Sequence, residues 1–175
     1  MPKKRAPDPT VLSRILLLQS SLHAQPEEQR MAEFLADGLV RIPGISGAAV
    51  CKDGCLLGAS QLEMDTPSKC REAFQAAVPN PACPLPCSCA DLGCVRLSLQ
   101  GTRRNYGGIL LKVTDETAFT VYRPFLENTA NLVTLLMENR EREADLRALN
   151  RSLEQQVQEQ FLIYKKLRIV VHIYL

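Results

Sequence analysis

Apolar positions along the first part of the chain follow the roughly 3.6-residue period of α-helices. Asp8-Pro9-Thr10 supplies capping chemistry and predicts that a first helix starts near Val11. A second helix is predicted to open at Pro26-Glu27-Glu28, where proline and acids suit a first turn, and to stop at Pro43-Gly44. The residues predicted to face a core are Leu12, Ile15, Leu16 and Leu22, followed by Met31, Phe34, Leu35 and Leu39.

The spacing then changes to the period of two that is typical of strands. Gly47 to Cys51 and Cys55 to Ala59 flank the turn Lys52-Asp53-Gly54, which predicts a β-hairpin. After it, residues 68–78 suit a short helix, and the proline-rich residues 79–91 fit no regular element.

Two further strands are predicted before the chain becomes helical again. Val95, Leu97 and Leu99 alternate with polar residues, which indicates a half-buried strand. Tyr106 to Thr114 is the predicted return strand, with Gly107-Gly108 marking a bulge or a close approach by another backbone.

From Thr117 onward the pattern is that of one long helix with two characters. Up to residue 137 it carries a broad apolar face that must pack on a core. Beyond that it is highly charged, with a thin apolar stripe, and a thin stripe implies a partner helix. This stripe, here called the seam, consists of Leu146, Leu149, Leu153 and Val157.

These elements predict an α/β chain of the α+β type: an antiparallel sheet flanked by helices, with a long C-terminal helix. Residues 1–10 are predicted to be a flexible tail, 11–137 a folded domain and 138–160 a helix of coiled-coil type. Residues 161–175 are apolar and basic and look foreign to that helix. We interpret them as the truncated or frameshifted end of a longer protein, with a peripheral membrane anchor as the alternative.

Composition narrows the class of protein. With 46% hydrophobic residues the chain can form one packed core, and a net charge of +2 gives no reason to expect a nucleic-acid partner. No signal peptide or membrane-spanning stretch is visible, so we expect a cytoplasmic protein. Seven cysteines are then expected to be free, metal-bound or redox-active rather than paired in a disulfide scaffold.

The last strand and the long helix carry a family resemblance. The relevant runs are Tyr106-Gly-Gly-Ile-Leu-Leu-Lys-Val, Tyr122-Arg-Pro-Phe-Leu-Glu-Asn-Thr-Ala-Asn-Leu-Val and Leu136-Met-Glu-Asn-Arg, with Phe119 between the first two. They are similar to the end of GAF domains, relatives of PAS that serve as input modules of bacterial histidine kinases and diguanylate cyclases. Ile42-Pro-Gly-Ile-Ser-Gly-Ala-Ala-Val resembles the first strand of that family.

The resemblance covers about residues 11–160. It implies a GAF-like sensory domain at residues 11–137 that dimerises. The signalling helix at residues 138–160 is then expected to pass a signal to an effector kinase or cyclase domain, as in two-component systems. It implies a small-molecule ligand without identifying it. No ligand residue is carried over, because the segment between the hairpin and the third strand is compact and rich in cysteine.

Four cysteines form the sharpest chemical cluster, Cys83, Cys87, Cys89 and Cys94. Four thiols in so short a segment suit a thiolate-bound metal or a redox pair, although the spacing is not that of zinc ribbons or ferredoxins. The alternative interpretations are that they are small buried or incidental cysteines, or that Cys83-Pro84 is a haem-contacting pair. Cys51 and Cys55 point to opposite sheet faces if the hairpin loop has two residues, and opposite each other if it has three.

The remaining polar residues suggest no catalytic centre. The chain has two histidines, His23 and His172, and no phosphate-binding loop, while Arg103 and Arg104 are interpreted as a solvated turn. We therefore predict a non-enzymatic regulatory module. Two alternatives stay open: a GAF-type free methionine sulfoxide reductase, which the lack of tryptophan and of an active-site motif disfavours, and a purely dimerising scaffold.

Overall fold

The computed structural model describes residues 6–62 and 94–173, and for Cys94 and residues 166–173 it describes the backbone alone. Within these ranges the chain has an α+β fold, as predicted, with an antiparallel sheet, flanking helices and a long C-terminal helix. The elements are α1 Pro9–Leu22, α2 Glu28–Leu39, β1 Ile45–Lys52, β2 Cys55–Ser60, β3 Cys94–Gln100, β4 Asn105–Val113 and α3 Glu116–Ile173. The predicted helix 68–78 lies outside the described residues.

Helix α1 begins two residues earlier than the apolar period suggests. The side chain of Asp8 accepts a hydrogen bond from the Thr10 amide at 2.8 Å, and Pro9 occupies the first turn, where it needs no amide partner. The Asp8 amide also donates to the hydroxyl of Tyr122 at 3.2 Å. Residues 8–10 therefore belong to the folded domain and not to the flexible tail predicted for residues 1–10.

The buried face of α1 differs from the prediction, because Val11 and Leu18 are buried, Leu12 is only partly buried and Leu16 is exposed. Leu16 was expected to face the core, but 63% of its surface is exposed, and so is 65% of Leu17. The reason is geometric, because successive residues are rotated by about 100° around a helix, and Ile15 already occupies the inward direction. The residues that α1 buries are Val11, Ile15, Leu18 and Leu22.

Among the described residues the sheet has the strand order β2-β1-β4-β3, and every neighbouring pair is antiparallel. Asp53 and Gly54, with φ of 51° and 77°, form the two-residue turn between β1 and β2. Both residues need positive φ in such a turn, which explains the Asp-Gly sequence.

Gly107 shows the close backbone approach expected of the Gly107-Gly108 pair. Its φ is 133°, and a Cβ built on it would collide with the carbonyl oxygen of Cys51 on the neighbouring strand. Only glycine combines that backbone conformation with that contact. This residue therefore allows β4 to lie against β1 at the turn end of the sheet.

The core lies between the sheet and the helices. Helix α2 contacts β1 and β2, and the fit is close enough that a Cβ at Gly58 would lie 2.6 Å from the amide nitrogen of Glu33. Asp115 precedes helix α3 and caps it, because its side chain accepts a hydrogen bond from the Ala118 amide at 3.0 Å. The α3 side chains in the core are Phe119, Tyr122, Leu126, Ala130, Val133 and Met137.

The chain divides into two compact units, Met1–Met137 and Glu138–Leu175. The second unit is helical throughout its described part, and the helix does not end at Gln160 as expected but continues to Ile173. The β-branched and aromatic residues after position 160 lower helix propensity by less than about 1 kcal/mol each, and such small terms do not end a helix that has no proline or glycine signal there.

Candidate functional site

The predicted cysteine cluster is only partly placed by the structure. Cys83, Cys87 and Cys89 lie outside the described residues, as does Cys70. Cys94 is the first residue of β3 and pairs with Lys112 of β4. A metal or redox site formed by these four cysteines therefore stays a prediction.

The hairpin cysteines resolve the alternative that the sequence leaves open. Because the loop has two residues, Cys51 stands opposite Leu56 and not opposite Cys55. Cys51 is buried, with 1% of its surface exposed, whereas Cys55 is exposed. The two thiols point to opposite faces of the hairpin and cannot bind one ligand together.

The sheet register also separates Cys51 from Cys94. Cys51 pairs with Gly108 and Cys94 with Lys112, so they lie two strands apart and four positions apart along β4. Strand spacing and rise per residue place their Cα atoms roughly 16 Å from each other. A disulfide needs a Cα separation below about 7 Å. Within the described ranges, no group of three metal-binding side chains comes together.

The two faces of the sheet have different surroundings. One face, here called the first face, belongs to the core cluster with the helices. Side chains alternate along each strand, so the residues between those of the first face lie on the opposite side of the sheet, here called the second face. The first face comprises Ala48, Val50, Leu97, Leu99, Ile109 and Leu111. The second face comprises Gly47, Ala49, Cys51, Arg96, Ser98, Gly108 and Leu110.

Most side chains of the second face are small. Ala49, Cys51 and Leu110 are at most 4% exposed although they do not belong to the core cluster. Arg96, half-buried, stands two strands from Ala49 and donates from Nη2 to the Gly107 carbonyl at 3.5 Å.

The sequence pattern was not expected to form this second face. The signal that would have found it is the run of small residues at every second position, Gly47, Ala49 and Cys51. Small residues at alternate positions distinguish one side of a strand from the other, whereas a strand buried on both faces by large residues would show Val, Ile or Leu there.

The turn arginines are not equivalent. The guanidinium of Arg104 lies 4.6 Å from the centre of the buried Tyr106 ring, and its Nη1 is 3.4 Å from Asp53. Lys52 Nζ lies 5.9 Å from the centre of the same ring and makes an ion pair of 2.6 Å with Glu28. Arg104 therefore stabilises the turn end of the sheet by cation–π and ion-pair contacts.

The side chains of the seam are exposed to solvent in the second unit. Each of its residues is between 49% and 64% exposed, and Phe161, Leu162, Ile163 and Tyr164 add further exposed apolar surface. A single helix that displays a regular apolar stripe to water is stable when another helix covers that stripe. The exposed residues of the seam are Leu146, Leu149, Leu153 and Val157.

Ion pairs between charged residues near the seam stabilise the helix. Glu143 accepts from Arg147 at 2.9 Å, one turn apart, and Glu138 accepts from Arg142 at 3.2 Å. Such pairs add a few tenths of a kcal/mol each to helix stability. No helix in the described part of the chain is long and apolar enough to cross a bilayer.

Comparison of the chain with protein-family models gives no match, and comparison with curated proteins gives none either. The GAF resemblance therefore rests on the runs of residues that carry it and on the order of the elements. In the described residues that order is helix, helix, hairpin, two strands and a long helix.

Proposed function

We propose that the chain is a sensory or regulatory module of the GAF type, acting in the cytoplasm within a bacterial signalling protein. The domain binds a small ligand, or responds to the redox or metal state of its cysteine-rich segment. Helix α3 then transmits the change to an effector such as a kinase or cyclase. The observation that carries this proposal is that α3 begins as part of the core and continues as an exposed helix with an apolar seam.

The physical basis of transmission is the shared helix. Leu126, Val133 and Met137 are fully buried in the core, so a change in core packing must either be resisted or moved along α3. Closely packed interiors shift between discrete arrangements more readily than they deform. A small rotation or slide of α3 changes the register in which the seam meets a second copy.

Dimerisation through the seam is the second part of the proposal. About two heptads of seam form a weak coiled coil on their own, and this suits a switch because a weak contact can be shifted by a modest free energy. Coupling between two sites in regulatory proteins is typically about 1–3 kcal/mol, which corresponds to a change of about 5- to 150-fold in an equilibrium constant.

The test is to measure the dimer dissociation constant of the full chain by sedimentation equilibrium in three states: reduced, treated with one equivalent of hydrogen peroxide, and loaded with Zn²⁺. Peroxide takes two electrons from two thiols, which form a disulfide, and is reduced to two molecules of water. We expect one of the two treatments to change the constant about tenfold or more.

The control variants separate the cysteine-rich segment from other thiols. Replacing Cys83, Cys87, Cys89 and Cys94 by serine should abolish the response, while replacing the exposed Cys55 should leave it unchanged. An unchanged constant in all three states contradicts thiol or metal sensing and leaves the small-ligand form of the proposal. A response that Cys55→Ser removes would assign it to the hairpin instead.

A further inference from the structure

A groove of about 560 Å³ runs along the line where α1 and α2 meet. Its apolar wall is formed by Leu17, Leu18 and Phe34. The volume lies within the roughly 300–1,000 Å³ that is typical of small-molecule sites. This groove is separate from the second face of the sheet and takes no part in the proposed transmission through α3.

At one point of the groove, the side chain of Leu18 on α1 lies against the backbone of Gly38 on α2. Gly38 has no side chain, and a Cβ there would collide with Cδ1 of Leu18. Leu18 is therefore pressed onto the α2 backbone, while its neighbour Leu17 stays 65% exposed along the groove. An apolar wall that faces water in this way gains free energy when an apolar group covers it.

Two arginines border the same end of the groove. Residues 23–27 connect the two helices and reverse the direction of the chain. Helix α2 therefore runs back along α1, and the two helices meet at Leu18 and Gly38. Arg14 precedes that contact by four residues on α1, and Arg41 follows it by three residues after α2, which places both about one turn away in the same direction. Both side chains line the groove.

The charges of the groove are not neutralised within the described residues. Within those residues the side chains of Arg14 and Arg41 make no hydrogen bond or ion pair, and the same holds for the side chain of Asp37, the acid that lines the groove. Two guanidiniums and one carboxylate leave one net positive charge. A ligand with a single negative charge would make the site neutral.

We propose that this groove binds a free amphiphilic monoanion, namely a carboxylate on an aliphatic chain. The carboxylate pairs with Arg14 and Arg41, because guanidinium groups bind carboxylates in a bidentate geometry. The aliphatic chain lies along Leu17, Leu18 and Phe34 and removes their exposed surface from water. The anionic end and the apolar wall thus recognise the two ends of one small molecule.

The test is isothermal titration calorimetry of the full chain with decanoate, kept below the concentration at which it forms micelles. We expect saturable binding of one equivalent. Acetate has the charge without the chain, and decanol has the chain without the charge, so each should bind at least about tenfold more weakly.

Variants assign the binding to the groove. The double variant Arg14→Gln with Arg41→Gln should weaken decanoate binding about tenfold or more, and Asp37→Asn should strengthen it. Arg103→Gln is the matched control, because Arg103 is an exposed arginine on the β3–β4 turn. It should leave the affinity unchanged, and circular dichroism confirms that each variant is folded.

Three results would overturn the proposal. They are the absence of saturable decanoate binding, equal affinity for decanol, and an affinity that does not change in the double arginine variant. Vesicles of phosphatidylglycerol distinguish a lipid surface from a free ligand. If the wild type binds vesicles through Arg14 and Arg41 but does not bind decanoate, the ligand is a membrane and the proposed free amphiphile is wrong.

Discussion

Helix α3 meets two environments along its length, and comparing them shows what stabilises each part. Up to Met137, every third or fourth residue is buried in the core, and Leu126, Val133 and Met137 have no exposed surface. From Glu143 to Tyr164, the leucines and other large apolar residues are about half exposed or more. The first part is fixed by burial, which contributes about 25 cal/mol per Å² of apolar surface.

The second part depends on weaker local forces. Good helix formers and ion pairs one turn apart, such as Arg147 with Glu143, each contribute a few tenths of a kcal/mol. An isolated helix of this kind is marginal in water. The comparison shows that the same secondary structure is stabilised in two different ways within one helix.

The largest expected difference between the two parts is in the cost of removing a leucine. Leu126→Ala leaves a cavity in the core and should lower the free energy of unfolding by about 2–5 kcal/mol. Leu146→Ala removes an exposed side chain and should change it by less than about 0.5 kcal/mol in dilute protein. Urea unfolding followed by circular dichroism measures both, and equal costs would remove the distinction between the two parts.

A smaller difference is expected between the contributions that ion pairs of the two units make to the free energy of unfolding. Lys52 and Glu28 are 17% and 28% exposed at 2.6 Å, whereas Arg147 and Glu143 are 69% and 61% exposed at 2.9 Å. Lys52→Met leaves a partly buried carboxylate without its partner and should cost about 1–3 kcal/mol.

The matched variant Arg147→Met should cost less than about 0.5 kcal/mol, because water already screens that pair. The same unfolding measurement at about 0.1 M and 1 M salt sharpens the contrast, since exposed pairs are screened more strongly than buried ones. A loss for Arg147→Met as large as that for Lys52→Met would show that burial does not decide the strength of these pairs.

Much of the fold follows from local patterns in the sequence. The Asp53-Gly54 turn, the alternation of Val95, Leu97 and Leu99, and the broad apolar face before Met137 each predict an element that the structure contains. These signals work because a turn type or a buried face imposes its residues directly.

What the sequence did not reveal depends on contacts between distant residues. Leu16 is exposed because its neighbour Ile15 faces the core, and the apolar period alone does not decide which of two adjacent apolar residues faces inward. The groove near Arg14 and Arg41 arises from the Leu18–Gly38 contact. Such tertiary contacts have no signature within a short window of sequence.

The most direct test of the central claim is the oligomeric state of the full chain, measured by sedimentation velocity over a range of concentrations. The wild type should pass from one chain to two as concentration rises, and the double variant Leu149→Glu with Leu153→Glu should stay at one because charges cannot be buried in the seam. Leu56→Glu, at a leucine that is 46% exposed on β2, should behave as the wild type does. A wild type that remains a single chain at every concentration, or a seam variant that still dimerises, would contradict the account.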